Sequence, residues 1–257
     1  MSRTSIRMIF GLACFLSCAP IVTFAQDGRS DTHVFAQFVD GRFSDGTFYR
    51  SALSWSNVPS SATTNNCTYA VRGVSTSVQS GRFGQSLLFN STSNVTFNGA
   101  ATGWDTLVSP GTGNFQGGYA VLFCDHPVNA ELVYSFYAAN GIKVSEATVL
   151  SSPESPQFEL VVDQRGGARL GIALANDNDT SASVTITVTS AQNTQIGSTQ
   201  IQIPAFGQIA RFLSEFVATT PAELVGRVSI VSTQPLGVIG LRFTGGAFTT
   251  IPAFVRP

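Results

Sequence analysis

Lysine is all but missing from this chain. Lys143 is the only one among 257 residues, and Asp, Glu, Lys and Arg together make up 11% of the sequence, against roughly 25% in ordinary soluble domains. The arginines are scattered and form no stripe, which excludes the phosphate-neutralising surface a nucleic-acid binder needs. Histidine is nearly as scarce, since only His33 and His126 occur. A Ser-His-Asp hydrolase would have to use one of them. His33 falls in a polar leader, and His126 sits between Asp125 and Pro127, where a loop histidine is expected. The motifs G-x-S-x-G, H-E-x-x-H, P-loop and C-x-x-C are all absent. Asp105, Asp125 and Glu131 are the carboxylates that folding could pair for glycoside chemistry, but nothing in their spacing points to it. Catalysis is not expected, and nothing calls for a cofactor.

Long apolar runs are missing too, apart from one at the amino terminus. Arg3 and Arg7 precede an apolar run over residues 8–18, and Thr23-Phe24-Ala25 supplies the small-residue end of a secretory signal. The run is shorter than the roughly 20 residues a membrane helix needs. Residues 1–25 therefore read as a signal peptide cleaved after Ala25. The minor alternative is a lipoprotein anchored at Cys18, because Leu16-Ser17-Cys18-Ala19 loosely matches a lipidation site. Cleavage removes two of the 14 basic residues and none of the 15 acidic ones, leaving a charge of 12 minus 15, or −3. Cys14 and Cys18 leave with the signal. Cys67 and Cys124 remain, and in an exported protein such a pair favours a disulfide.

Thr, Ser, Asn and Gly carry the polarity instead, a composition suited to strands and turns. Residues 171–190, GIALANDNDTSASVTITVTS, read as a β-hairpin, with Val184, Ile186 and Val188 alternating against Thr185, Thr187 and Thr189. A looser copy lies upstream. Residues 35–40 (FAQFVD) match 158–163 (FELVVD), offset by 163 minus 40, or 123; Asn57 matches Asn176, offset by 119. Residues 67–71 (CTYAV) match 184–188 (VTITV), and 118–127 (GYAVLFCDHP) match 226–235 (GRVSIVSTQP) without gaps, offset by 108. Both of the last two read as strands stopped by Pro. Beyond the prolines the phase slips: Ala130, Leu132, Tyr134 and Phe136 alternate in one copy, but Ile239, Leu241 and Phe243 in the other. A bulge or a one-residue gap would produce that slip.

The organisation predicted is a signal peptide (1–25), a polar leader (26–33), a first β-sandwich (34–150), a Ser/Pro linker (151–156) and a second β-sandwich (157–257). Further strands are expected near 86–90, 95–98, 143–150, 199–203 and 249–254. A short helix or helical turns are expected within 209–224, where Phe212, Leu213, Phe216 and Val217 recur at helical spacing. The GIALAN strand end, the V-T-I-T-V strand, the segment IPAFGQIARFLSEF and the run GRVSIVSTQPLGVIGLRF resemble the Ig-like β-sandwich repeats found in tandem in exported bacterial surface proteins of unknown biochemical role. The resemblance covers 153–257 well and 34–150 more loosely. It implies a sandwich fold and an extracellular location, and it brings no catalytic residues.

Candidate functional residues are few. Cys67 aligns with Val184 and Cys124 with Ser232, so both cysteines are missing together from the second copy, as a bridge across the first sandwich would require. Asp177 and Asp179, beside Asn176 and Asn178, offer oxygen ligands to calcium, but the same residues are what a hairpin turn prefers. Trp55 aligns with Leu174 and is expected in the core. The first copy is longer between its matched strands, 51 residues (118 less 67) against 42 (226 less 184). Trp104 falls in that extra length, and with Phe115 and Tyr119 it could form a sugar-stacking surface. The alternative is a loop packed on its own sandwich. The function expected is a non-catalytic structural or interaction protein of the cell exterior, whose partners are extracellular proteins, or a carbohydrate-binding module whose partner is polysaccharide.

Overall fold

A computed structural model describes residues 31–58, 64–73, 77–80, 86–88, 92–98 and 104–256, with side chains described for 31–58, 65–73 and 108–256. The expected signal peptide, 1–25, lies outside the described residues. The strands of the first half are β1 (Asp31–Arg42), β2 (Phe48–Asn57), β3 (Thr64–Arg72), β4 (Ser77–Ser80), β5 (Ser86–Leu88), β6 (Thr92–Asn98), β7 (Trp104–Val108), β8 (Gln116–Cys124), β9 (Val128–Tyr137) and β10 (Lys143–Val149). Those of the second are β11 (Ser155–Asp163), β12 (Arg169–Asn176), β13 (Ala182–Ser190), β14 (Gln195–Ile203), β15 (Gly207–Phe212), β16 (Val225–Thr244), β17 (Ala247–Pro252) and β18 (Phe254–Val255), with a short 3-10 turn (Arg165–Gly167) between β11 and β12 and one α-helical turn, α1 (Leu213–Phe216), after β15.

Every pairing between named strands among the described residues is antiparallel, and both halves share one strand order. In the first, β1-β8-β3-β6 face β7-β2-β9-β10; in the second, β11-β16-β13-β14 face β15-β12-β16-β17. The register repeats as well: Cys67 opposes Cys124 as Val184 opposes Ser232, and Trp55 opposes Ala130 as Leu174 opposes Val238. What the first half adds is the hairpin β4–β5, laid along the outer edge of β7.

Four details differ from the sequence reading. First, β16 does not stop at Pro235. It runs for 20 residues, pairing with β11 and β13 through its first part and with β12 and β17 through its second. Second, no phase slip occurs, since Ala130 and Val238 keep the offset of 108 beyond the prolines. The second half of β16 is apolar on both faces because both are buried: Leu236 and Val238 pack into the second sandwich, while Ile239 and Leu241 pack against the first. Third, the helix expected within 209–224 is present but spans only α1, since 209–212 is strand. Fourth, β1 begins inside the expected leader. The Asp31 carboxylate accepts the Val128 N–H (2.7 Å), which fixes the start of the strand.

The two sandwiches share a core. Ala173 and Ala175 of β12, Ile239 and Leu241 of β16 and Phe248 of β17 lie in one buried cluster with Phe35, Phe38, Leu53, Trp55 and Leu132 of the first half. Phe248 stacks on Tyr134, centroids 4.7 Å apart. The expected linker is docked between the two: the Ser152 N–H donates to the Val34 carbonyl and its hydroxyl accepts the Val238 N–H, both at 2.8 Å. Gly237 sits at this joint because a Cβ there would lie 2.5 Å from Val34 Cγ1.

Cys67 and Cys124 form a disulfide, but within a sheet rather than across the sandwich: they oppose each other on β3 and β8, with Cα atoms 4.2 Å apart and both side chains buried. Replacing the pair by the residues of the second sandwich, Cys67→Val with Cys124→Ser, keeps the register and removes the link across 57 residues. The expected loss is about 2–4 kcal/mol in urea unfolding; an unchanged midpoint would contradict a stabilising role for the bridge.

Candidate functional site

The joint between the sandwiches is sealed by polar contacts at one end and opens into a groove at the other. At the sealed end, Tyr119 of β8 is fully buried and its hydroxyl donates to Asp177 Oδ1 at 2.7 Å. Arg72 of β3 donates its Nε–H to the same oxygen at 3.0 Å and lays its guanidinium over the Phe206 ring, 4.4 Å from the centroid. Burial, and secondarily the Asp177 charge, push the Tyr119 phenol far above its ordinary range, so it stays a donor. Phe206 itself takes a positive φ of 52° in the turn before β15, a conformation costly for a bulky side chain.

These contacts decide how several expected site residues stand. Tyr119 is a fastener between domains and presents no ring face to solvent. Asp177 is engaged by Tyr119 and Arg72, while Asp179 points to solvent. No cluster of three or more His, Cys, Asp or Glu side chains suited to a metal occurs among the described residues. The turn reading of the Asn-Asp run describes Asn176 well. Its Oδ1 accepts the Asn178 N–H, and its buried amide donates to the carbonyls of Thr180 and Pro204. Trp104 opens β7 opposite Ser56 rather than sitting in a grafted loop, and its side chain lies outside the described residues.

The groove, about 350 Å3, lies where the first sandwich stops covering the outer face of β12, β15 and β16. Phe212, Phe243 and Leu241 give it an apolar wall on the second sandwich, and Gln37, Phe115 and Gly117 form the facing wall on the first. Gly171 is its floor. Phe212 meets Phe243 edge-on (5.4 Å, 67°) and carries the Arg169 guanidinium 3.5 Å from its centroid. Gln208 donates to Gln37 Oε1 (2.8 Å) and to the Ala36 carbonyl (3.2 Å), which closes the inner end. Phe115, 39% exposed, is the one expected site residue on the rim. It stacks on Phe43, itself 40% exposed, at 4.5 Å and 19°.

One further polar chain occurs. His33 Nε2 lies 3.0 Å from Asp31 Oδ2 and its Nδ1 lies 3.1 Å from Ser151 Oγ. These are the residue types of an acyl-transfer triad. None of the three lines the groove, and Asp31 is also the acceptor that anchors Val128. His126 contributes only its backbone to a bond pair with Asn65.

Sequence reasoning missed Phe212, Phe243, Gln37 and Gln208, because a groove between two domains depends on how they dock. The available signal was the glycine at 171, inside a strand where glycine packs nothing.

Tyr119→Phe leaves Asp177 without its buried donor. The expected cost is about 1–3 kcal/mol in urea unfolding; no loss would remove this bond from the joint. Comparison with family models finds no match, and neither does comparison with curated proteins or with solved structures.

Proposed function

We propose that this chain is a secreted, non-catalytic interaction protein of the bacterial cell exterior, whose contact surface is the interdomain groove. The observation that carries this reading is the groove itself: a concave, mainly apolar site of binding-site size at a domain junction. Its walls belong to two sandwiches fixed by a shared core. Residues 1–25 supply the export signal in this reading, and the buried disulfide suits an oxidising compartment. No helix among the described residues is long and apolar enough to cross a membrane. The Ser151–His33–Asp31 chain is taken as a tie between β1, β9 and the linker, because Asp31 holds a backbone N–H as well as the imidazole.

A second reading has one observation in its favour. The stacked Phe43–Phe115 pair is an exposed aromatic step at the groove rim, suited to a sugar face. A pull-down on insoluble polysaccharides with wild type and Phe115→Ala separates the two. The interaction reading expects no retention of wild type. Retention that Phe115→Ala abolishes would overturn it in favour of carbohydrate binding.

A further inference from the structure

Resting on the reading of the groove as a contact surface, we propose that its occupant is the free carboxyl-terminal end of a partner protein, with an apolar last side chain on the ring wall and the terminal carboxylate on Arg211.

The chemistry of the occupant follows from the polar groups that the fold leaves unpaired. Of the described arginines, all but Arg169 and Arg211 hold a carbonyl or a carboxylate. Arg169 is spent on the Phe212 ring, 3.5 Å from its centroid, and does not line the groove. Arg211 does line it, is exposed, and meets no acceptor among the described residues. A guanidinium is a planar fork of donors that matches a carboxylate in two parallel bonds.

The inner end of the groove complements a peptide group. Gln208 Nε2 donates to Gln37 Oε1 and to the Ala36 carbonyl, which leaves Gln37 Nε2 and Gln208 Oε1 without partners among the described residues. One is a donor and the other an acceptor, the pair that a peptide C=O and N–H require. Gln37 is 8% exposed, so packing holds its amide in place. Gln208 and Arg211 stand three residues apart on β15, about 10 Å along a strand. With a hydrogen bond at each end, that span holds a last residue and the peptide group before it.

Between the two ends, Phe212, Phe243 and Leu241 form an apolar wall for the terminal side chain. A fatty acid would use this wall and Arg211 but has nothing for the two glutamines. Glu215 is the one carboxylate lining the groove, and its Oε2 accepts the Phe212 N–H at 2.6 Å. Its charge opposes an incoming anion, so substitutions at 211 and 215 act in opposite directions.

The test measures fluorescein-labelled hexapeptides ending in Leu, Phe or Val, each as free acid and as amide, by anisotropy on the full chain, with decanoate as competitor. At least one acid is expected to bind, with its amide weaker by on the order of tenfold, the worth of one hydrogen bond between charged groups. Arg211→Gln is expected to bring the acid to the level of its amide, Glu215→Gln to tighten the acid severalfold, and Arg227→Gln, on another sheet, to change nothing. Equal binding of acid and amide by the unaltered chain, which needs no variant to fold, overturns the carboxylate; if Phe243→Ala then abolishes both, the groove stands as the contact surface. Decanoate binding more tightly than every acid peptide overturns the chain end in favour of a fatty acid. Binding indifferent to Arg211→Gln and Phe243→Ala alike, or no binding at all, overturns the proposal and removes the groove with it.

Discussion

The structure depends on one sheet face being hidden. β12 and the second part of β16 carry apolar residues on both faces: Ile172, Leu174 and Val238 toward their own sandwich, and Ala173, Ala175, Ile239 and Leu241 toward the other. A sandwich sheet normally keeps one face polar for water. Here the first sandwich takes the place of water, and Phe248 extends the contact by stacking on Tyr134. The small side chains Ala173, Ala175 and Gly237 let the backbones come close, and Ser152 satisfies a group on each side of the seam. The two halves are repeats in topology and one body in packing.

That fusion explains how the repeats have diverged. The first sandwich has a disulfide where the second has Val184 opposite Ser232, and the β4–β5 hairpin along β7 where, among the described residues, β15 pairs with β12 alone. The second kept a short, regular framework and committed its outer face to the joint. The groove is what remains of that face beyond the reach of the first sandwich, which is why its walls come from both.

Much of the fold was legible, for particular reasons. Val184-Thr-Ile-Thr-Val188 reports its strand because one face is wet and the other dry, and the offsets of 119 and 108 located equivalent strands whose register the structure repeats. Alternation failed where that contrast is missing. Ile239 and Leu241 looked like a phase slip because the sequence holds no sign that a second domain covers them. The cysteines were paired correctly but assigned to opposite sheets, since alignment gives register and not strand order. Of the aromatic trio, Phe115 lies at the groove and Tyr119 is buried in the joint. An isolated ring in a sequence does not reveal which neighbour it will meet.

The shared core is tested most directly by differential scanning calorimetry of the protein. If the face formed by Ala173, Ile239 and Leu241 is core to both sandwiches, the protein melts in one transition whose calorimetric and van't Hoff enthalpies agree. Two separable transitions, one for each sandwich, would contradict it.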